Sequence, residues 1–555
     1  MLYTGLVGHP SAIVVVFQTS EGIRHMVAEI KNDQQPIFHS PYPTIEISDV
    51  SLVPHVLRCA LEFGDKPALI DGPSGRTITY KQLVSDVRHA AAGLAQRGFS
   101  KGDVFAIFSP NLPEFAVAFL SAMSIGGIIT TINPLANARE LADQLRDSKA
   151  THLVTIPQLL NTAREAATEA GSPHLWVFGE AEGATPFSTL LENEGEPPVV
   201  EINPREDLAV LPYSSGTTGL PKGVMLTHYN LVAHDEVIDG TAPLTSDDVL
   251  IAILPFFHIY GMSVIMNAGL SRGATIVTMP RFDLDQFLQL LQDYRVTCAY
   301  LVPPIVLALA KHPLVDNYDL SSLQTICSGA APLGADLTRA CAERLGCAMN
   351  QGYGMTEASP VTHVGSGEWV KDGSIGVCVR NTDARIVDPE TGRTLGINEH
   401  GELWVRGPQV MKGYLNRPDV TAATIVEDGW LRTGDIAYVD EDGYFFVVDR
   451  LKELIKYKGY QVAPAELEAI LLSHPAVSDA AVIGCVDEEA GEIPKAFVVT
   501  KSDVEPGEIL AYVAERVAPY KKIRLLEFVD EVPKSASGKI LRRVLIEQER
   551  ERSRA

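Results

Sequence analysis

A chain of 555 residues is too long for a single core and predicts roughly two to four domains. Its 46% hydrophobic content and mean hydropathy of +0.07 belong to a globular protein that buries sizeable cores. A net charge of −24, from 46 Lys+Arg against 70 Asp+Glu, makes nucleic acid and anionic membranes poor partners, so a polyanionic substrate needs a local basic patch.

Residues 1–36 end in the polar NDQQP and read as an extension of open role. The run Ser11 to Phe17 is too short to span a membrane and lacks the flanks of a signal peptide. From Ile37 onward, β-branched runs alternate with helical patterns. DVFAIFSP (103–110) precedes EFAVAFLSAMSIGG (114–127), and ATIVTMP (274–280) precedes DLDQFLQLLQDYRV (283–296). Short apolar strands alternating with amphipathic helices predict βαβ units and an α/β class of mainly parallel sheets with flanking helices. Near Ser374 the texture changes. DARIVD (383–388), GELWVRG (401–407) and YFFVVD (444–449) predict an antiparallel, β-rich subdomain. The charged run Asp449–Lys452 marks a boundary, dividing the chain into residues 37–448, a hinge at 449–452, and a small α+β domain at 453–555. Cys59, Cys298, Cys327, Cys341, Cys347, Cys378 and Cys485 form neither a C-x-x-C pair nor a zinc spacing, so reduced thiols in the cytoplasm are expected.

The run YSSGTTGLPKGVMLTH (213–228) carries the strongest local signal. Glycines let successive N–H groups converge on one anion. Ser214, Ser215, Thr217 and Thr218 add donors around Gly216, and Lys222 adds a point charge. The spacing departs from the Walker A pattern but makes the same kind of phosphate cradle. In NQGYGMTEASP (350–360), Tyr353 offers a stacking face and Glu357 a hard oxygen for Mg²⁺. In WLRTGDIAYVD, Asp435 is suited to ribose hydroxyls. Lys539 sits on a Ser/Gly-rich loop in KSASGKILRR.

These motifs, in this order, resemble the adenylate-forming superfamily of acyl-CoA synthetases, luciferases and peptide-synthetase adenylation domains. The resemblance runs from about Ile37 to Arg543 and is nearest to the 4-coumarate–CoA ligase and luciferase branch. It implies that ATP and a carboxylic acid form an acyl-adenylate, which coenzyme A converts to a thioester. Thr217, Thr218 and Lys222 would grip phosphates. Gly329, Ala330, Ala331 and Pro332 would line the adenine and acyl sites, Tyr353 would stack on adenine beside Gly354, and Thr356 would meet the α-phosphate. Asp435 and Arg450 would bind ribose, and Lys539 would bridge carboxylate and phosphate, with Lys456 and Gln461 serving the same arrangement. Asp449 or Lys452 would be the pivot of a mobile C-terminal domain that brings Lys458, Gly459 and Tyr460 to the pantetheine thiol.

His258, Tyr260, Cys327, Gly329, Ala330, Gly354, Pro360 and Val361 would line the acyl pocket. Cys327 departs from the lysine of plant coumarate ligases, and a thiol cannot donate to a phenol as an ammonium does. That favours a less polar acid such as cinnamate, although hydroxycinnamates remain the first expectation. A medium- or long-chain fatty acid is the alternative, and luciferase-like monooxygenation a more distant one. A monomer or homodimer is expected.

Overall fold

The computed structural model describes residues 36–554, except 172, 215–220, 242–243, 366, 368–369, 459, 488–489 and 536–537, together with four short backbone strands between residues 13 and 30. Ser215, Gly216, Thr217, Thr218 and Gly459 therefore lie outside the described residues, and Gln461 is described by its backbone alone.

Two large sheets carry the expected parallel strands. One joins Val104–Phe108, Ile128–Ile132, Ala150–Thr155 and His174–Val177 in parallel. The other sets Val249–Ala252 beside Thr275–Thr278 and Cys298–Leu301, continuing through Thr325–Ser328 to Ala348–Gly354. Helices Pro113–Ser124 and Leu284–Asp293 fall where the apolar periodicity predicts them. Pro113 opens the first, where a missing N–H costs nothing, and the Asp283 side chain caps the second by accepting from Gln286 N. Strands buried on both faces read as continuous apolar runs, as VFAIF does in Val104–Phe108.

The β-rich subdomain is antiparallel, as its alternating pattern predicts. Asp383–Val387 pairs with Gly401–Arg406, which pairs with Trp430–Val439, which pairs with Phe445–Arg450. The backbone strand Ala28–Ile30 adds to the same sheet through Ile37–His39. This sheet ends at Arg450, and the next begins at Ile455. The C-terminal sheet is formed by Ile455–Tyr457, Tyr460–Val462, Val477–Asp487, Gly491–Thr500 and Leu525–Phe528. It has its own apolar core around Val462, Leu467, Val482 and Val498. A separate core is what a rigid, independently moving domain requires.

Between the domains, Asp449 is buried with both carboxylate oxygens in use. One accepts from Arg450 N at 2.6 Å, the other from Ala465 N at 2.8 Å in the first turn of the helix Pro464–Ser473. Arg542 then joins Glu453 and Glu468, each at 2.6 Å. The turn that leaves the large domain is thereby tied to the first helix of the small one.

Candidate active site

Ser214 and Lys222 are held by a strand pairing. Tyr213–Ser214 pairs antiparallel with Lys222–Thr227, setting Ser214 opposite Lys222 at the base of the Gly-rich connection. The second strand runs directly into the helix His228–Ile238, whose start is a capping box between Thr227 and Asn230. Lys222 is buried, its Nζ 5.5 Å from the centre of the Tyr414 ring.

Glu357 lies beside it on the turn Thr356–Ala358. Its Oε1 accepts from Ser214 Oγ at 2.9 Å and from Tyr414 OH at 2.8 Å. Tyr414 reaches this point because Gly413–Tyr414 pairs with Val224–Met225 of that second strand. Burial, reinforced by the Glu357 charge, pushes the Tyr414 phenol far up, so it remains a donor.

Asp435 and Arg450 are cross-strand partners, with Arg450 Nε 3.4 Å from Asp435 Oδ1. Tyr353 donates to the other carboxylate oxygen at 2.6 Å. The Tyr353 ring also stands edge-on to His363, centroids 5.9 Å apart, so its plane is fixed at both ends. Burial pushes the Asp435 carboxyl up, opposed by Arg450, the Tyr353 hydrogen bond and Lys539.

The acyl side is shaped by backbone. A Cβ on Gly354 would fall 2.1 Å from the Pro360 carbonyl oxygen, so only glycine fits there. A Cβ on Gly329 would fall 2.9 Å from the Tyr260 ring, which closes the slot over it. Tyr260 OH donates to the Cys327 carbonyl at 3.3 Å, and Ala330 is held at φ +69°. Val361 is half-buried and leads a short strand that pairs with Gly354 across the sheet. The Cys327 thiol is buried and pushed up to about 11, so it brings no charge. His258 Nδ1 accepts from Tyr260 N at 3.3 Å, leaving Nε2 as the protonated nitrogen of the neutral ring. Burial, with Lys539 nearby, holds His258 down at about 4.

Lys539 enters from the C-terminal domain. Its loop is pinned by Ser535 N donating to the Lys539 carbonyl at 2.8 Å. Gly538, at φ +77°, presses on the large domain so closely that a Cβ would sit 3.2 Å from Val302 Cγ2. Burial pushes the Lys539 amine down to about 8, followed by Arg450 and Lys452, against the opposing pull of Glu453 and Asp435. Lys539, half-buried, is near enough for its charge to act on Asp435 and His258. Lys452, although largely exposed, senses both Arg450 and Lys222. The basic patch demanded by a −24 chain is thus assembled from two domains.

Residues 57–415 match the AMP-binding enzyme family, and residues 466–539 match the AMP-binding enzyme C-terminal domain. The chain belongs to the AMP-binding enzyme family. Among its relatives, 4-coumarate–CoA ligase 2 of Nicotiana tabacum is 46% identical over 523 residues, covering 92% of this chain and 96% of that one. The 4-coumarate–CoA ligase 1 of Petroselinum crispum is also 46% identical, with the same coverage. Among solved structures, the anthranilate CoA ligase AuaEII in complex with anthranoyl-AMP superposes with a TM-score of 0.85 at 28% identity, covering 92% of this chain and 99% of that one.

Within this AMP-binding enzyme the remaining expected residues are dispersed. Thr356 opens the turn that carries Glu357. Ala331 and Pro332 follow strand Thr325–Ser328 in the loop before helix Ala335–Leu345. Lys456 is exposed and faces Gln461 across a strand pair. Lys458, at φ +47°, donates through its N–H to Ala490 O at 2.8 Å. Tyr460 is 56% exposed and stacks on Tyr520, centroids 4.6 Å apart. Two residues that shape the site carried no sequence signal. Tyr414 acts through a strand pairing with residues nearly two hundred positions away, and Glu453 through an ion pair with Arg542.

Proposed function

We propose that the protein is an ATP-dependent, AMP-forming acid–CoA ligase acting on 4-coumarate or a closely related cinnamic acid. The observation that carries this reading is the contact of the Lys539 loop with the large domain, where Gly538 lies against Val302, in a chain that matches the AMP-binding enzyme family in both its large and its C-terminal parts.

A carboxylate approaching a phosphate meets charge repulsion, so catalysis here is in-line positioning plus neutralisation. In the first step a carboxylate oxygen bonds to the α-phosphorus of ATP and pyrophosphate departs with the electron pair of the broken P–O bond. Lys222 and the Gly-rich run before it would hold the departing phosphates. Lys539 would hold carboxylate and α-phosphate together, and Asp435 would accept from the ribose hydroxyls. In the second step the coenzyme A thiol loses its proton, its sulfur bonds to the acyl carbon, and AMP leaves.

The residues fit a magnesium ion arriving with ATP. Among the described residues, both hydrogen bonds to the Glu357 carboxylate use Oε1, and Oε2 suits a hard cation. A single carboxylate oxygen suits an ion that keeps nucleotide oxygens and waters as its other ligands. Glu357 would hold the ion there, and its charge would neutralise that of the phosphates.

The glycine-walled slot under Tyr260 suits a flat aryl acid. Localisation in the cytoplasm belongs to the same reading and rests on seven free thiols, six of them buried. The test is thioester formation from ATP, Mg²⁺ and coenzyme A across cinnamate, 4-coumarate, caffeate, benzoate, octanoate and palmitate. A lead by the cinnamic acids is expected, and a lead by octanoate or palmitate would overturn the aryl assignment.

A further inference from the structure

Behind Tyr260 the chain forms a π-helix, Tyr260–Asn267, whose residues from Gly261 on are buried. Such i→i+5 turns are rare and concentrate at functional sites. On it, Ser263 is 2% exposed and Asn267 3% exposed, one turn apart. The helix His228–Ile238 packs against it and contributes His234, 1% exposed. Among the described residues, Ser263 Oγ, both amide atoms of Asn267 and both ring nitrogens of His234 have no hydrogen-bond partner.

Two anchors show which way His234 faces. One turn before it, Asn230 donates to the carbonyls of Pro408 and Val410 at 3.0 and 2.8 Å. Gln409, between those two, donates to the carbonyl of Val361 at 3.3 Å, and its Oε1 is likewise buried without a partner. One turn after His234, Val237 and Ile238 pack with Ala268, the residue following Asn267, and with Val361. His234 therefore lies on the helix face turned to the wall that Val361 and the π-helix share. Its neighbour Asp235 faces elsewhere, engaged by His55 at 2.7 Å, Ser271 at 3.0 Å and Arg272.

We propose that His234, Ser263 and Asn267 form the polar far end of the acyl pocket and select an acid bearing an uncharged hydroxyl there. Each buried polar atom left unpaired costs about 1–3 kcal/mol, so five such atoms on two helices packed against each other call for a polar occupant. An alkyl chain supplies no partner. A phenolic hydroxyl donates one hydrogen bond and accepts others, which matches an imidazole with one donor and one acceptor nitrogen beside a carboxamide. Burial holds His234 down at about 3, so the ring is neutral and suits a neutral hydroxyl better than a second carboxylate. The Cys327 thiol is not required for this recognition, which removes the argument from its lost lysine. The inference rests on the acid–CoA ligase reading and names the substrate feature that reading leaves open.

The readout is the ratio of kcat/KM for 4-coumarate to that for cinnamate, measured by pyrophosphate release. The wild-type enzyme is expected to favour 4-coumarate. His234→Leu and, separately, Asn267→Leu are each expected to lower the ratio about tenfold, the worth of one lost neutral hydrogen bond. His234→Gln, which retains a donor and an acceptor, is expected to stay within about threefold of wild type on the same scale. Melting temperature and residual cinnamate turnover report folding of each variant. An unchanged ratio in either leucine variant, or a wild-type enzyme that prefers cinnamate, overturns the proposal and leaves the ligase reading standing. Absence of pyrophosphate release with every acid contradicts both.

Discussion

At the nucleotide end of the cleft the charged groups are already held. Glu357 accepts from Ser214 and Tyr414, and Asp435 is fixed by Tyr353 and Arg450. At the acyl end, His234, Ser263 and Asn267 are buried, and among the described residues five of their polar atoms find no partner. The difference separates two tasks. ATP is the same in every turnover, so its contacts can be preorganised by the protein's own hydrogen bonds and cost no rearrangement at reaction. The acid is what distinguishes one ligase from another, and unsatisfied polar atoms discriminate strongly because the wrong substrate leaves them unpaired.

The comparison is broken most severely by removing Lys539. Lys539→Ala is expected to slow pyrophosphate release by about 10²–10³ for every acid alike. Thioester formation from a chemically prepared acyl-adenylate and coenzyme A should change far less. An equal loss in both steps would contradict a role confined to adenylation.

Asp435→Ala removes the ribose acceptor and leaves Tyr353 and Arg450 without their partner. KM for ATP is expected to rise about tenfold to a hundredfold, with the preference among acids unchanged. A changed acid preference would show that the two ends are not separate.

The pH profile sharpens the same division. The Lys539 amine is held at about 8, so it is protonated below that pH and loses its charge as pH rises through it. For adenylation, kcat/KM for ATP is expected to fall about tenfold per unit above that point. Lys539→Arg should remove this limb, since a guanidinium stays charged. A limb that persists in the arginine variant belongs to another group.

The smallest effect is at Ala330, which adopts φ +69° between the two ends. Ala330→Gly relieves the left-handed strain and is expected to raise stability by about 0.5–1 kcal/mol in urea unfolding. A loss of stability would show that the alanine methyl packs more than its backbone strains.

Much of the nucleotide end was legible because its groups are written into short contiguous stretches. The run 213–228 was readable as an anion-binding stretch ending in the strand-like GVMLTH, which is the strand Lys222–Thr227, and the alternation of VFAIF with its following helix encodes a parallel sheet. What stayed hidden arises from residues far apart in the chain. Tyr414 reaches Glu357 only through the pairing of Gly413–Tyr414 with Val224–Met225. Asp449 was legible as part of a charged turn, but its two backbone hydrogen bonds depend on where Ala465 lands. His234, in the run AHDEV, looks like any polar helix residue until its helix packs against the π-helix and buries it. No periodicity marks a polar side chain whose partner is meant to be a substrate.

The most direct test of the central claim is ATP–pyrophosphate exchange with 4-coumarate and Mg²⁺ in the absence of coenzyme A. Exchange that requires the acid, falls about 10²–10³ in Lys539→Ala, and gives AMP plus thioester once coenzyme A is added is the predicted result. Exchange without any acid, no exchange with any acid, or release of ADP and phosphate in place of AMP and pyrophosphate would contradict it.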